Sequence, residues 1–124
     1  MQLSQENPDF TYVLRGASAT GVLVNQQLLE RSFLLSPNRL VEGWRPASAA
    51  DLLPEDMEAV LALQPSVVLL GTGPSQRFPS AAVMAAMLTR GVGMEVMDNA
   101  AAARTFNVLA TEGRTVVGAF LLPG

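Results

Sequence analysis

Histidine, cysteine and lysine are all absent from the 124 residues. Without an imidazole, a thiol or a side-chain amine, the chain is excluded from histidine general bases, cysteine nucleophiles, disulfides, Schiff bases and the usual zinc and iron–sulfur ligand sets. What remains is carboxylate, hydroxyl and backbone chemistry, and any metal would be a hard cation on Asp and Glu oxygens. No cofactor and no metal site is read from the sequence. Long apolar runs are missing too, since no stretch approaches the roughly 20 residues that span a bilayer. The start, "MQLSQENPDF", has neither the basic residues nor the apolar segment of a secretory signal. These features predict a cytoplasmic protein with no membrane insertion.

Positive charge is scarce. Eight arginines face eleven carboxylates, for a formal net charge of −3, and they are scattered at positions 15, 31, 39, 45, 77, 90, 104 and 114. Nucleic acid is therefore not an expected partner, because its recognition needs clustered positive charge to displace counterions. An all-arginine basic set also fits a GC-rich genome and carries little functional weight. With 49% apolar and 15% charged residues, the chain favours a packed core over disorder. Its length suits a single globular domain over 1–124, mainly β over 1–47 and alternating α and β over 48–124.

In the first part, "FTYVLRG" alternates Phe10, Tyr12 and Leu14, and "GVLVNQQLLERSFLLSP" places Asn25 and Gln26 between apolar runs, predicting a hairpin and a further short strand. "NRLVEGWRP" adds another strand closed by Pro46, with Trp44 as a core or edge anchor. Near residue 48 the period changes. "SAAD" matches a capping box, Pro54 suits a first helical turn, and Leu53, Met57, Val60 and Leu61 recur at helical spacing until Pro65. Glu55, Asp56 and Glu58 then complement the positive end of the helix dipole, with a metal site as the minor reading. From residue 66 strand and helix alternate: "SVVLLG", "PSAAVMAAMLTRG", "MEVMD", "NAAAARTFNVLATEG" and "RTVVGAFLL", with Gly91 and Gly113 as left-handed helix ends. This predicts a β-α-β-α-β sheet covered by helices, with the earlier strands extending it or packing beside it as a smaller β layer.

"GTGPSQRFPS" follows a strand and precedes a helix, where a glycine loop can cradle an anion. The dinucleotide pattern needs a third glycine where Gln76 stands, and the triphosphate loop needs a lysine. The simpler reading is a tight connection in which Gly71 and Gly73 supply unusual backbone angles and Pro74 and Pro79 add stiffness. Thr72 lies between the glycines, and Arg77 leaves a weak anion site open. Asp98 stands at the N-cap of the following helix, which explains it by capping alone. On that helix Ala102, Phe106, Leu109 and Ala110 share one face, while Arg104, Asn107 and Thr111 form a polar stripe of the kind that is usually solvated. Ligands in open α/β sheets tend to bind beyond the carboxyl ends of strands, which keeps Gly73 and Asp98 in view. Glu95 interrupts an apolar strand, either as a carboxylate in a partly buried cleft or, as is more usual, as a residue that points outward from an edge or pairs with a nearby arginine. Met84, Met87, Met94 and Met97 fill core gaps or, if exposed, form an adaptable binding patch.

The strand-loop "LLGTG", the junction "MEVMD", the stretch "RTFN", the closing "EGR" and the earlier "GWRP" together resemble a small domain family of largely unknown function. Its eukaryotic members include the mitochondrial respiratory complex I assembly factor three and an adipogenesis-associated cytoplasmic protein. The resemblance implies a three-layer α/β fold with a mixed central sheet flanked by helices and an additional N-terminal β element. It implies no established enzyme activity and a role in assembling protein complexes. The family's motif residues correspond here to Gly71, Thr72, Gly73, Glu95, Asp98, Arg104, Asn107 and Arg114. Where relatives often carry threonine, cysteine and tyrosine, this chain has Asn99, Ala103 and Phe106, so no thiol or phenol role transfers. The expectation is a non-enzymatic accessory protein. A protein partner is held at a strand-end surface that includes Gly71, Thr72, Gly73, Arg77, Glu95, Asp98, Arg104 and Asn107. The alternatives are a small-molecule or anion site at the GTG loop, and a carboxylate-based enzyme using Glu95 or Asp98. A bacterial member need not serve complex I, so the client stays open.

Overall fold

Apolar residues on both sides of a strand require cover on both faces, and the stretch after residue 66 shows how this chain supplies it. The computed structural model describes residues 11–124; Phe10 lies outside them. The described strands are β1 (Leu14–Ala17), β2 (Val22–Val24), β3 (Gln27–Leu29), β4 (Arg31–Ser36), β5 (Arg39–Glu42), β6 (Val67–Gly71), β7 (Gly93–Met97) and β8 (Val116–Pro123). The α-helices are α1 (Met57–Leu61), α2 (Ala81–Thr89) and α3 (Asn99–Thr111). Five strands form one sheet in the order β5-β4-β8-β6-β7. β6 runs parallel to β7 and β8, and β4 antiparallel to β5 and β8, so the sheet is mixed. β8, the last strand in sequence, lies in the middle.

The alternation along β8 sorts the core into two halves. Val116, Phe120 and Leu122 face one side with Phe33, Leu35 and Leu69, where they meet α3 and the small antiparallel sheet β1-β2-β3. Val117, Ala119 and Leu121 face the other side with Leu34, Val68 and Leu70, against Trp44, Met57, Val60, Val83 and Met87. The architecture is the expected three layers, with the N-terminal β element packed as a separate sheet. Phe33 and Phe120 stack across the β4–β8 pair with centroids 5.1 Å apart. Met87 is buried, and Met84, Met94 and Met97 are half-buried against the same two cores, so they fill gaps rather than form an exposed patch. Trp44 is buried as an anchor.

Turn residues behave as their chemistry demands. Asn25, at φ 54°, turns β2 into β3, and its Oδ1 accepts the Val13 N–H at 2.9 Å. Gly91 and Gly113 end α2 and α3 at φ 71° and 80°. The expected helix from residue 48 is corrected. It is broken into 3-10 turns at Ala49–Asp51 and Pro54–Asp56, with regular α-helix only over Met57–Leu61. Pro54 crowds the residue before it, and Leu53 is accordingly extended at φ −114°, ψ 154°.

Candidate functional site

Because β6, β7 and β8 are parallel, their carboxyl ends lie along one edge of the sheet, and the GTG loop, Asp98 and Leu121 meet there. Gly73 takes φ +91° and requires glycine for its angle. Gly71 requires it for space, which corrects the angular role expected for it. A Cβ there would lie 2.5 Å from Asn99 Oδ1 and 3.1 Å from Phe120. Thr72, almost buried, fixes the loop through its hydroxyl. It donates to the Ser75 carbonyl at 2.7 Å, with the Met97 carbonyl at 3.2 Å, and accepts the Arg77 N–H at 3.0 Å. Gln76 Nε2 donates to the Val96 carbonyl at 2.8 Å and ties the loop to β7. The Arg77 guanidinium is exposed and has no hydrogen bond or ion pair among the described residues. Beside it opens a hollow of about 420 Å³ walled by Thr20, Ala47, Ala50, Gly73, Leu121 and Pro123.

At the next junction Asp98 caps α3, its Oδ1 accepting the Ala101 N–H at 2.7 Å. The residue that sequence reasoning passed over is Asn99, which is fully buried. Its Oδ1 accepts the Gly73 N–H at 3.1 Å, and its Nδ2 reaches the carbonyls of Ser18 at 3.1 Å and Leu121 at 3.2 Å. Its own N–H donates to the Gly73 carbonyl at 2.9 Å. One amide therefore joins the glycine loop, the loop after β1 and the end of β8. The departure from the relatives' threonine is the visible signal, and by itself it says only that a hydroxyl is missing.

The polar stripe of α3 is corrected in part. Asn107 is half-buried and clamps Leu14 of β1, its Nδ2 donating to the carbonyl at 2.7 Å and its Oδ1 accepting the N–H at 3.0 Å. Arg104 is exposed and lines a separate hollow of about 220 Å³ with Arg15. The residues expected to form one surface are thus divided: Thr72, Gly73 and Arg77 lie at the first hollow, Arg104 and Asn107 at the second. Glu95 is exposed on the edge strand β7, in neither hollow, and Arg114 is exposed just after α3. No group of three or more Asp and Glu among the described residues is placed to hold a metal, and no helix among them is long and apolar enough to cross a membrane.

A polar cluster missed in the sequence closes the loop after β5. Arg45 binds Asp56 at two points, 2.9 and 2.6 Å, and Asp51 Oδ1 at 3.1 Å. The Ala47 N–H, with Arg45 behind it, holds the Asp51 carboxyl below the usual carboxylate range. For Asp56 the Arg45 guanidinium is the main cause of a shift in the same direction. Asp56, expected to serve a helix dipole, accepts the Leu53 N–H at 2.8 Å as a local cap and is also held by the guanidinium.

Residues 14–121 match the protein family of unknown function DUF498/DUF598. The chain belongs to this family. The family read from "LLGTG", "MEVMD" and "RTFN" is the one found. A bovine relative, the NADH dehydrogenase [ubiquinone] 1 alpha subcomplex assembly factor 3 of Bos taurus, is 34% identical over 98% of this chain. The chain spans 65% of that relative's length. The solution structure of XCC1710 from Xanthomonas campestris is 56% identical, covers 100% of this chain and 94% of its own, and superposes with a TM-score of 0.85. A Bordetella pertussis protein described as an Mth938-like domain is 27% identical over 100% of this chain and 94% of its own, with a TM-score of 0.80. The DUF498/DUF598 chain thus shares its mixed-sheet fold with bacterial proteins and is similar in sequence both to them and to vertebrate assembly factors.

Proposed function

We propose that the protein is a non-enzymatic accessory factor of the assembly-factor kind, holding a protein partner at the hollow beyond the ends of β6 and β8. The observation that carries this is the hollow itself. Small and apolar groups wall it, Asn99 holds its backbone from behind, and the Arg77 guanidinium stands at its rim with no partner of its own among the described residues. Such a site suits a partner's apolar side chain next to an acidic one, with the guanidinium taking the carboxylate. The assembly-factor relatives support the class of role, and the client is left to this chain's own surface.

The test is cross-linked affinity capture from native lysate with wild type, Arg77→Glu and, as a control in neither hollow, Arg114→Glu. Specific partners retained by Arg114→Glu and lost from Arg77→Glu are the expected result. If wild type captures nothing specific, or Arg77→Glu captures the same set, the reading fails. The free guanidinium beside a positive-φ glycine loop favours one second reading, a small acidic molecule in the same hollow. A metabolite screen that raises Tm in wild type and not in Arg77→Glu would select it, since a ligand bound only by the native state stabilises that state.

A further inference from the structure

The second hollow, between β1 and the first half of α3, is built differently from the first. Gly16, Ala17, Ala100 and Ala103 form its floor, and no carboxylate lines it. Of its polar side chains, Asn107 has both ends of its amide engaged on Leu14. The two that remain are the guanidiniums of Arg15 and Arg104, both exposed and neither with a hydrogen bond or ion pair among the described residues. Two cations with no counterion, in a chain whose net charge is −3, face one opening.

The backbone that carries them is set by two local features. Across β1 and β2, Leu14 is opposite Val24 and Gly16 opposite Leu23, which leaves Arg15 as the extra residue of a β-bulge. Bulges re-aim the side chain they carry. Asn107 then ties the preceding residue, Leu14, to α3 one turn beyond Arg104. The bulge and the clamp together set Arg15 beside the helix that carries Arg104. Solvent screens the repulsion between two exposed guanidiniums, an anion between them is attracted by both, and paired guanidiniums match the spread of oxygens on a phosphate or carboxylate. A hollow of about 220 Å³ is several times the roughly 30 Å³ share of one water, room for a single such group with part of its hydration.

We infer that Arg15 and Arg104 form an oxyanion clamp, separate from the Arg77 hollow, that binds a phosphate or carboxylate group carried by a small molecule or by an acidic chain segment. The experiment is an amide chemical-shift titration of the full chain at low ionic strength, with inorganic phosphate in one arm and a hexaglutamate peptide in the other. It compares wild type, Arg15→Gln, Arg104→Gln, the double variant and Arg77→Gln. Saturable shifts confined to residues 14–17 and 100–107 are expected. Each single variant should weaken binding about tenfold, as the loss of one charge-assisted contact implies, while Arg77→Gln should bind as wild type does. Because both side chains are exposed and unpartnered among the described residues, the variants should keep the wild-type spectrum elsewhere. Shifts with phosphate alone identify a phosphate-bearing ligand, and shifts with the peptide alone identify an acidic segment. No saturable shift in either arm, or equal shifts in the double variant, overturns the clamp.

Discussion

Asn99 does with one side chain what three loops would otherwise have to arrange separately. Its amide offers an acceptor to Gly73 and donors to Ser18 and Leu121, and the missing Cβ of Gly71 leaves the space in which its Oδ1 sits. Replacing it with leucine keeps the branched outline of four heavy atoms and removes all three bonds, leaving the Gly73 N–H and the Leu121 carbonyl, both buried, without this partner. Asn99→Leu should therefore lose roughly 2–4 kcal/mol of stability, because each unsatisfied buried group costs about 1–3 kcal/mol. Urea denaturation monitored by circular dichroism measures this, and a loss below about 1 kcal/mol would mean that water replaces the amide. Little of this role is legible in the sequence. There Asn99 is the first residue of an alanine-rich helix after a capping aspartate, and one of its partners, Ser18, lies 81 positions away. The capping role of Asp98 is legible because its partner is three residues on and capping is local.

At the level of elements, the segment between β5 and α1 shows why some boundaries could not be read. Apolar spacing at Leu53, Met57, Val60 and Leu61 is what a helix would show, yet Leu53 ends up 44% exposed because Pro54 holds it extended. What orders the segment is Arg45, which gathers Asp51 and Asp56, while Trp44 Nε1 donates to the Asp56 carbonyl at 3.1 Å. This cluster has a pH signature. Both carboxyls have folded-state values below their ordinary one, so their contribution is complete above the unfolded carboxylate pKa of about 4. It is lost as pH falls through the lower folded values. Arg45 stays charged throughout. Wild type should thus be more stable than Asp56→Asn at neutral pH, with the gap narrowing below about pH 4. Tm measured from about pH 2.5 to 7 checks it, and a constant gap would show that the bonds matter without the charge. The later elements are legible for a plain reason. β6, α2, β7, α3 and β8 each carry their own local pattern and end at glycine, aspartate or proline signals.

For the molecule as a whole, alternating residues of the central sheet commit to two cores at once, and the strand that contributes most evenly to both is β8. A chain cut after Thr115 should accordingly lack a cooperative melting transition, as read by circular dichroism, even though most of the other elements are intact. Retained cooperativity would mean that the two halves of the sheet can each stand alone. Sequence patterning anticipates the layers but places the candidate residues on one surface. Strand ends are ordered along the sheet by β6-β8 and β6-β7 pairing, whereas β1 is set against α3 by Asn107, a contact 93 residues apart in sequence. The central place of β8 also has a consequence for how the protein is made. Synthesis proceeds toward the carboxyl terminus, so β4 and β6 are finished while the strand that separates them is still untranslated. Until β8 arrives, each presents an open apolar edge, the condition in which nascent chains pair with the wrong neighbour. Slow translation through residues 100–115 would lengthen that exposure, and the yield of native protein should depend on the pace of the ribosome over those codons.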